Sequence, residues 1–167
     1  MNGRGQERSI IGECWNVAIE QTLVIVKPDG VQRALVGEII GRLERRGLKI
    51  VALGLKTIDA ELAGRHYGEH KGKPFYDGLV EYIGSGPSVI MVLEGPDAIE
   101  AVRSTVGKTN PVAAGPGTIR GDFGMMVGRN LIHASDSVES GKREVALFFG
   151  DNATVSYDRA IDRWIVE

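Results

Sequence analysis

Cysteine is almost absent from this sequence of 167 residues, in which Cys14 is the one example. A single thiol cannot close a disulfide within the chain, so an apolar core must hold the fold. A chain of this length can bury such a core as one domain without covalent staples. Because proteins of reducing compartments rarely carry structural disulfides, we expect a cytoplasmic protein.

Long apolar runs and a strong charge of either sign are also missing. No stretch approaches the roughly 20 apolar residues of a membrane helix, and residues 1–20 lack the apolar segment of a secretory signal. The formal net charge of -2 excludes a global basic field. We therefore expect neither membrane association nor strong binding to nucleic acid. A polyanionic ligand would require cations gathered in one pocket.

Two common phosphate-binding motifs are absent, namely Gly-x-x-x-x-Gly-Lys-Ser/Thr and Gly-x-Gly-x-x-Gly. His66 and His70 have the spacing of one helix face and could form a metal pair. However, Tyr67 stands where zinc proteases place glutamate. Cys14 is distant, and no third ligand lies in register. We therefore expect no structural metal site.

Apolar periodicity predicts a fold that mixes strands and helices. Aliphatic and β-branched residues over 22–26 predict a buried strand, and the apolar pattern over 35–43, followed by Gly47, predicts an amphipathic helix. The alternation is compatible with a ferredoxin-like split βαβ arrangement. Further strands are predicted over 48–58, 88–93 and 130–134, further helices over 59–67, 75–83, 97–106 and 138–148, and a long loop of functional type over 109–128.

The two ends of the chain lack a clear period. We expect an N-terminal extension over 1–19, one domain over 20–149 and a C-terminal tail over 150–167. The tail ends in the apolar group Trp164-Ile165-Val166, which we expect to dock on another surface.

Several polar residues could carry chemistry. His133 ends a predicted strand, and a neutral imidazole can attack phosphorus to form a covalent intermediate. Glu144, on the following helix, could orient that imidazole. Lys27 follows a buried strand, where an ammonium group needs solvent, a partner or a ligand. From the residues alone each has an ordinary alternative: a hydrogen-bonded histidine, a solvated glutamate and a lysine whose head reaches water.

The segment 109–122 is rich in glycine and proline. Glycines expose backbone N–H groups, and Thr109, Thr118 and Arg120 add donors that suit phosphate oxygens. A turn-rich loop without a ligand is an equal alternative.

Five motifs occur in one order along the chain. They are Val26-Lys-Pro-Asp-Gly-Val-Gln-Arg33, His66-Tyr-Gly-Glu-His-Lys-Gly-Lys-Pro-Phe75, Thr109-Asn-Pro111, Gly117-Thr-Ile-Arg-Gly-Asp-Phe123 and Asn130-Leu-Ile-His-Ala-Ser-Asp-Ser137. This series resembles the nucleoside diphosphate kinase family over about residues 20–149.

The resemblance implies an α+β, ferredoxin-like fold with a four-stranded antiparallel sheet covered by helices. It implies ping-pong transfer of the γ-phosphoryl group from a nucleoside triphosphate, usually ATP, to a nucleoside diphosphate through a phosphohistidine. It also implies Mg²⁺ bound mainly through the nucleotide phosphates, and a homo-oligomer, with a hexamer expected. A nucleotide-binding regulatory protein that has kept the fold is the alternative, and it would not convert dGDP to dGTP.

The resemblance also assigns roles to individual residues. It makes His133 the phosphorylated nucleophile and Glu144 the carboxylate on its imidazole, while Lys27 serves both the ribose and the transferring phosphate. The remaining substrate contacts that it implies are Asn130 at the ribose, Arg103, Thr109 and Arg120 at the phosphates, Tyr67 in the lining, Phe75 and the opposing Val127 at the base, and His70 as a secondary phosphate contact.

Two small residues near the proposed nucleophile affect the local backbone. Ala134 stands where the family usually has glycine, and a positive φ there would add strain of about 1–2 kcal/mol. Gly141 lies inside the last predicted helix and costs about 1 kcal/mol relative to alanine. We therefore expect that helix to depend on packing.

Overall fold

Residues 18–150 and 154–166 are described by the computed structural model. Within this part of the chain, the strands are β1 (Ile19–Val26), β2 (Lys49–Thr57), β3 (Pro87–Pro96) and β4 (Ile132–Ala134). They form one four-stranded sheet in the order β2-β3-β1-β4, and every neighbouring pair is antiparallel. The expected four-stranded antiparallel sheet is confirmed.

Helices occupy the connections between strands. The described residues form α1 (Pro28–Gln32), α2 (Val36–Arg45), α3 (Ala60–His66), α4 (Tyr76–Gly84), α5 (Ala98–Val106), α6 (Ile119–Phe123) and α7 (Val138–Phe149), with 3₁₀ turns at Gly68–His70, Pro111–Ala113 and Asp162–Trp164. This order gives the predicted ferredoxin-like α+β fold. Within the described ranges, no helix combines the length and the apolar character that crossing a membrane requires.

Apolar side chains cover both faces of the sheet, because successive residues of a strand point to opposite sides. On one face, Val24 and Val26 belong to the cluster that contains residues of α2 and α5. On the other face, Leu23 and Ile25 belong to the cluster that contains residues of α3, α4 and α7. All four of these β1 side chains are fully buried. β1 is therefore a central strand, packed on both faces, and it fixes the position of the residues at its carboxyl end.

The segment 109–128 differs from the predicted loop, since it contains α6 and one of the 3₁₀ turns. The Thr118 hydroxyl accepts a hydrogen bond from the Gly121 N–H at 3.0 Å and caps α6. The Asn110 side chain accepts one from the Val112 N–H at 3.2 Å. Both elements are too short to show an apolar period, so the capping residues were their only signal in the sequence.

The tail docks mainly through polar residues. Arg159 donates hydrogen bonds to the carbonyl oxygens of Gly47 at 2.8 Å and Leu48 at 3.0 Å, and Asp162 holds the Arg159 guanidinium at 2.8 Å. Ile165 lies against Gly47. Trp164, by contrast, is 78% exposed within the described chain, so its docking on another surface stays a prediction. Of the predicted extension 1–19, residues 1–17 lie outside the described residues, and Ile19 already belongs to β1.

Candidate active site

His133 lies on β4, opposite Ile25 of β1, and its side chain is 22% exposed. Its Nε2 atom lies 3.0 Å from Oε2 of Glu144, which is on α7. Ser135 donates its hydroxyl to the same oxygen at 2.7 Å. The two residues that the sequence suggests as a pair are therefore in contact. Nε2 of the imidazole faces the carboxylate, whereas Nδ1 has no hydrogen bond to any of the described residues.

Gly141 allows α7 to approach β1 closely enough to make that contact. A Cβ atom at this position would lie 2.8 Å from the Gln21 carbonyl oxygen, which is closer than side chains tolerate. Glu144 lies almost one helical turn later on the same face. The glycine that weakens the helix thus positions the carboxylate.

Glu144 remains ionised despite its burial. Burial by itself raises the pKa of this carboxyl, but the hydrogen bonds from His133 and Ser135, together with the neighbouring imidazole charge, outweigh burial and keep the pKa below its ordinary value. An ionised carboxylate accepts hydrogen bonds, so it favours the His133 tautomer that carries its proton on Nε2. The lone pair of Nδ1 is then available as a nucleophile.

Ala134 carries no strain from a positive φ. The non-glycine residues with positive φ in the described chain are Ala34, Asp97 and Leu131. Ala134 lies in regular strand β4. Alanine is therefore harmless at this position.

Lys27 lies beside Asn130 at the carboxyl end of β1. Its ammonium group donates to the Asn130 side-chain oxygen at 2.8 Å, and the Asn130 amide donates to the Thr109 carbonyl at 3.0 Å. Lys27 is 9% exposed. Burial, with a smaller contribution from the Arg120 charge, lowers the pKa of Lys27 to about 8. The site thus holds an ammonium group that is short of anionic partners.

A second carboxylate, that of Asp29, stabilises the backbone that leads into β4. The sequence did not indicate this role. Asp29 accepts hydrogen bonds from the Leu131 N–H at 3.1 Å and from the Tyr82 hydroxyl at 2.5 Å. Leu131 has a φ of 70°, which is costly for leucine. Asp29 therefore fixes the backbone between Asn130 and His133. Its partners are far away in sequence, and no local pattern indicated them.

Arg120 is a buried clamp. Its guanidinium donates to the carbonyl oxygens of Gly107 at 3.0 Å, Asn130 at 3.3 Å and Ile132 at 2.6 Å. Burial, and then the charge of Arg103, lower the pKa of Arg120 to about 10. Arg103, in contrast, is exposed.

The residues predicted for the site line one cavity of about 1090 Å³. Phe75 and Val127 are 54% and 53% exposed, whereas Tyr67 is 6% exposed and its hydroxyl has no hydrogen-bond partner within the described ranges. Burial raises the pKa of Tyr67. The predicted residues that line the cavity are Lys27, Tyr67, His70, Phe75, Arg103, Thr109, Arg120, Val127, Asn130, His133 and Glu144.

His66 does not lie beside His70, although their spacing in the sequence could have formed a metal pair. It ends α3, before the 3₁₀ turn that carries His70, so the two are not on one helix. Its ring lies edge-on to His133, with centroids 4.6 Å apart. The ligand atoms of His66, His133 and Glu144 lie within 4.8 Å of one another, which makes them a group able to hold a metal ion.

Known proteins can be aligned with most of the length of this chain. A family model described as "Nucleoside diphosphate kinase" matches residues 20–154. The chain is 60% identical to the nucleoside diphosphate kinase of Archaeoglobus fulgidus over 149 residues, which is 89% of this chain and 99% of that one. It is 58% identical to the nucleoside diphosphate kinase of Herpetosiphon aurantiacus, covering 89% of this chain and all (100%) of the other.

A solved structure is also similar. It is that of a halophilic nucleoside diphosphate kinase from Halobacterium salinarum in complex with CDP. The TM-score is 0.87 at 52% identity, and the match covers 90% of this chain and 100% of that one.

Proposed function

The chain belongs to the nucleoside diphosphate kinase family, enzymes that transfer phosphoryl groups between nucleotides, and we propose that His133 carries the phosphoryl group here. The observation that supports this role is the 3.0 Å contact between His133 Nε2 and Glu144, inside a cavity that Lys27, Arg103 and Arg120 also line. Because Nε2 faces Glu144, we propose Nδ1 as the reactive nitrogen.

The proposed reaction has two similar halves. The Nδ1 lone pair attacks the γ-phosphorus of a nucleoside triphosphate, the bond from phosphorus to the bridging oxygen breaks, and the nucleoside diphosphate leaves. The ring now carries phosphorus on Nδ1 and a proton on Nε2, and Glu144 stabilises its positive charge. A terminal oxygen of a second nucleoside diphosphate then attacks the phosphorus, and the bond to Nδ1 breaks.

Cations are needed because negative charge spreads over the phosphoryl oxygens in the transition state. We assign this role to Lys27 and Arg103, with Thr109 and Arg120 as further phosphate contacts and His70 as a secondary one. Lys27 is well suited, since its ammonium group is buried with only neutral Asn130 as a hydrogen-bond partner among the described residues. Lys27 and Asn130 are also proposed to bind the ribose hydroxyls.

Mg²⁺ is the proposed cofactor, bound mainly through nucleotide phosphates. The one three-residue ligand group found in the described chain, His66-His133-Glu144, offers two nitrogens, whereas Mg²⁺ requires oxygen ligands and retains several waters. Phosphate oxygens therefore fit the ion better than this protein group does. When bound, Mg²⁺ would neutralise phosphate charge.

The base is proposed to stack on Phe75, with Val127 on the opposite wall and Tyr67 lining the site below. Both wall residues are half exposed at the cavity. Stacking without hydrogen bonds to the base edge would accept every nucleobase. We therefore propose nucleoside di- and triphosphates in general as substrates, with ATP as the usual donor.

A homo-oligomer, with a hexamer as the expected form, is supported by exposed apolar residues on an edge strand. Leu53 and Leu55 of β2 are 55% and 65% exposed, and β2 lies at one end of the sheet. Exposed apolar side chains on an edge strand are typical contact surfaces. We further propose a cytoplasmic location, no strong nucleic-acid binding and no membrane association, with 20–149 as the domain between an extension and a tail.

Nucleotide conversion tests the proposed function. The purified protein, mixed with ATP and dGDP, should form dGTP with ping-pong kinetics, and His133→Gln should abolish the conversion. A His133→Gln protein that converts dGDP at the wild-type rate would contradict the assignment. Native mass spectrometry of the same preparation tests the hexamer.

A further inference from the structure

The two oxygens of the Glu144 carboxylate have different surroundings. Oε2 accepts hydrogen bonds from His133 and Ser135, at 3.0 Å and 2.7 Å. Two basic side chains of the described chain lie within 4.0 Å of Oε1, through Nδ1 of His66 at 3.8 Å and a guanidinium nitrogen of Arg143 at 3.7 Å. Both exceed hydrogen-bond distance. One oxygen of a carboxylate that is 5% exposed thus has no close donor among the described residues.

His66 is a buried side chain that lacks hydrogen-bond partners within the described residues. It is 3% exposed, and neither ring nitrogen has a hydrogen-bond partner in the part of the chain that the structure describes. Burying a polar group without a hydrogen bond costs about 1–3 kcal/mol of stability. A phenylalanine ring at this position would avoid that cost. Burial, and then the His133 charge, lower the pKa of His66 to about 3. The ring is therefore neutral and carries one N–H, which the anion facing Nδ1 favours at that nitrogen.

We propose that His66 is a positioning residue whose Nδ1–H donates to Oε1 of Glu144, so that the carboxylate is held between two imidazoles. A movement of less than about 1 Å closes the 3.8 Å gap to hydrogen-bond distance. Oε2 then stays on Nε2 of His133 while the nucleophilic ring gains positive charge. This inference rests on the proposed function of His133.

The packing of the two rings adds to this constraint. They meet nearly at right angles, at 86°, with centroids 4.6 Å apart, so the His66 ring also limits rotation of the His133 ring. A cation at this distance would oppose the charge that His133 develops. The neutral state of His66 is therefore suited to its position.

Three substitutions separate a hydrogen-bonding role from simple packing. The His66→Asn side chain can place an amide N–H near the former Nδ1, the His66→Gln side chain reaches the former Nε2, and His66→Phe keeps only the ring. We expect kcat to fall roughly 10–100-fold in His66→Phe and His66→Gln, with KM for ATP nearly unchanged, and His66→Asn to recover most of the loss. Equal kcat in all three variants and the wild type would overturn the proposal.

A measurement on the wild type makes the test independent of how the variants fold. Nitrogen-15 NMR of labelled histidine reports the tautomer of each ring. We expect His66 to be protonated at Nδ1 and His133 at Nε2. Protonation of His66 at Nε2 would overturn the inference. Phosphorylation of His133 in the same sample tests the proposed function separately, because it does not depend on the His66 tautomer.

Discussion

The ammonium nitrogen of Lys27 lies 2.8 Å from the side-chain oxygen of Asn130, although the two residues are 103 positions apart. The contact joins the end of β1 to the segment that leads into β4, and Lys27 N–H also donates to the Leu131 carbonyl at 2.8 Å. His133 lies three residues after Asn130, within β4. The fold thus delivers a buried cation and the proposed nucleophile to the same cavity.

Replacing Lys27 with methionine should stabilise the protein and inactivate it. Lysine is charged below its pKa, and burial lowers the pKa of Lys27 to about 8 in the folded state, against about 10.4 when unfolded. The charged form therefore costs folding free energy at neutral pH, and this cost is relieved as pH rises from about 8 to about 10.4. Allowing for the lost hydrogen bond to Asn130, we expect a gain of about 2 kcal/mol at pH 7.

Urea unfolding at pH 7 and pH 10.5, with initial rates of dGTP formation, measures both effects. The gain in unfolding free energy should shrink at the higher pH, and kcat/KM should fall at least 100-fold. Exposed Lys108 supplies the control Lys108→Met, which should change stability little. A Lys27→Met protein that is less stable at pH 7 would contradict the account of its burial.

Arginine-to-lysine changes should distinguish Arg120 from Arg103. Arg120→Lys removes donors from a guanidinium that serves three backbone carbonyls, so it should cost about 2–4 kcal/mol of stability as well as activity. Arg103 is exposed, and Arg103→Lys should reduce kcat/KM with the melting temperature nearly unchanged. Calorimetry decides the point: equal melting temperatures would show that Arg120 does not act as a clamp.

Gly141→Ala should be harmful although alanine favours helices. The added methyl group would meet the Gln21 carbonyl oxygen at 2.8 Å, and overpacking of this kind costs about 1–3 kcal/mol. Because Glu144 lies almost one turn further on, kcat should fall as well. The matched control is Gly41→Ala in α2, where the nearest atoms belong to the Arg45 side chain at 3.6 Å, and where we expect a gain of about 0.5–1 kcal/mol. A Gly141→Ala protein as stable and active as the wild type would contradict this explanation.

Residues with strong local signals were predictable from the sequence. The aliphatic run of β1 encodes its strand directly, and the structure agrees. The helix predicted over 59–67 is also present as α3, which begins after Asp59, whose side chain accepts a hydrogen bond from the Leu62 N–H. α6 was missed because five residues show no period, although Thr118 marks its start. Within the described chain the tail is held by the charges of Arg159 and Asp162, which no apolar pattern indicates, and Trp164 stays exposed.

The residues of the site could be predicted mainly from the resemblance to a known family. Spacing alone could not join Lys27 to Asn130 or Glu144 to His133, because tertiary packing creates both contacts. The motif around Lys27 contains Asp29 but does not indicate its role, since its partners Leu131 and Tyr82 are far away in the sequence. The sequence spacing of His66 and His70 carries no information about the neighbour that His66 has in the fold, which is His133.

The most direct test of the central claim is to locate the phosphoryl group after a single half-reaction. The protein is incubated with γ-labelled ATP and no acceptor, and the label is mapped by mass spectrometry under alkaline conditions. The account predicts one acid-labile, alkali-stable phosphoryl group per chain, attached to His133, and its quantitative release on addition of a nucleoside diphosphate. Label on another residue, or undiminished labelling of His133→Gln, would contradict it.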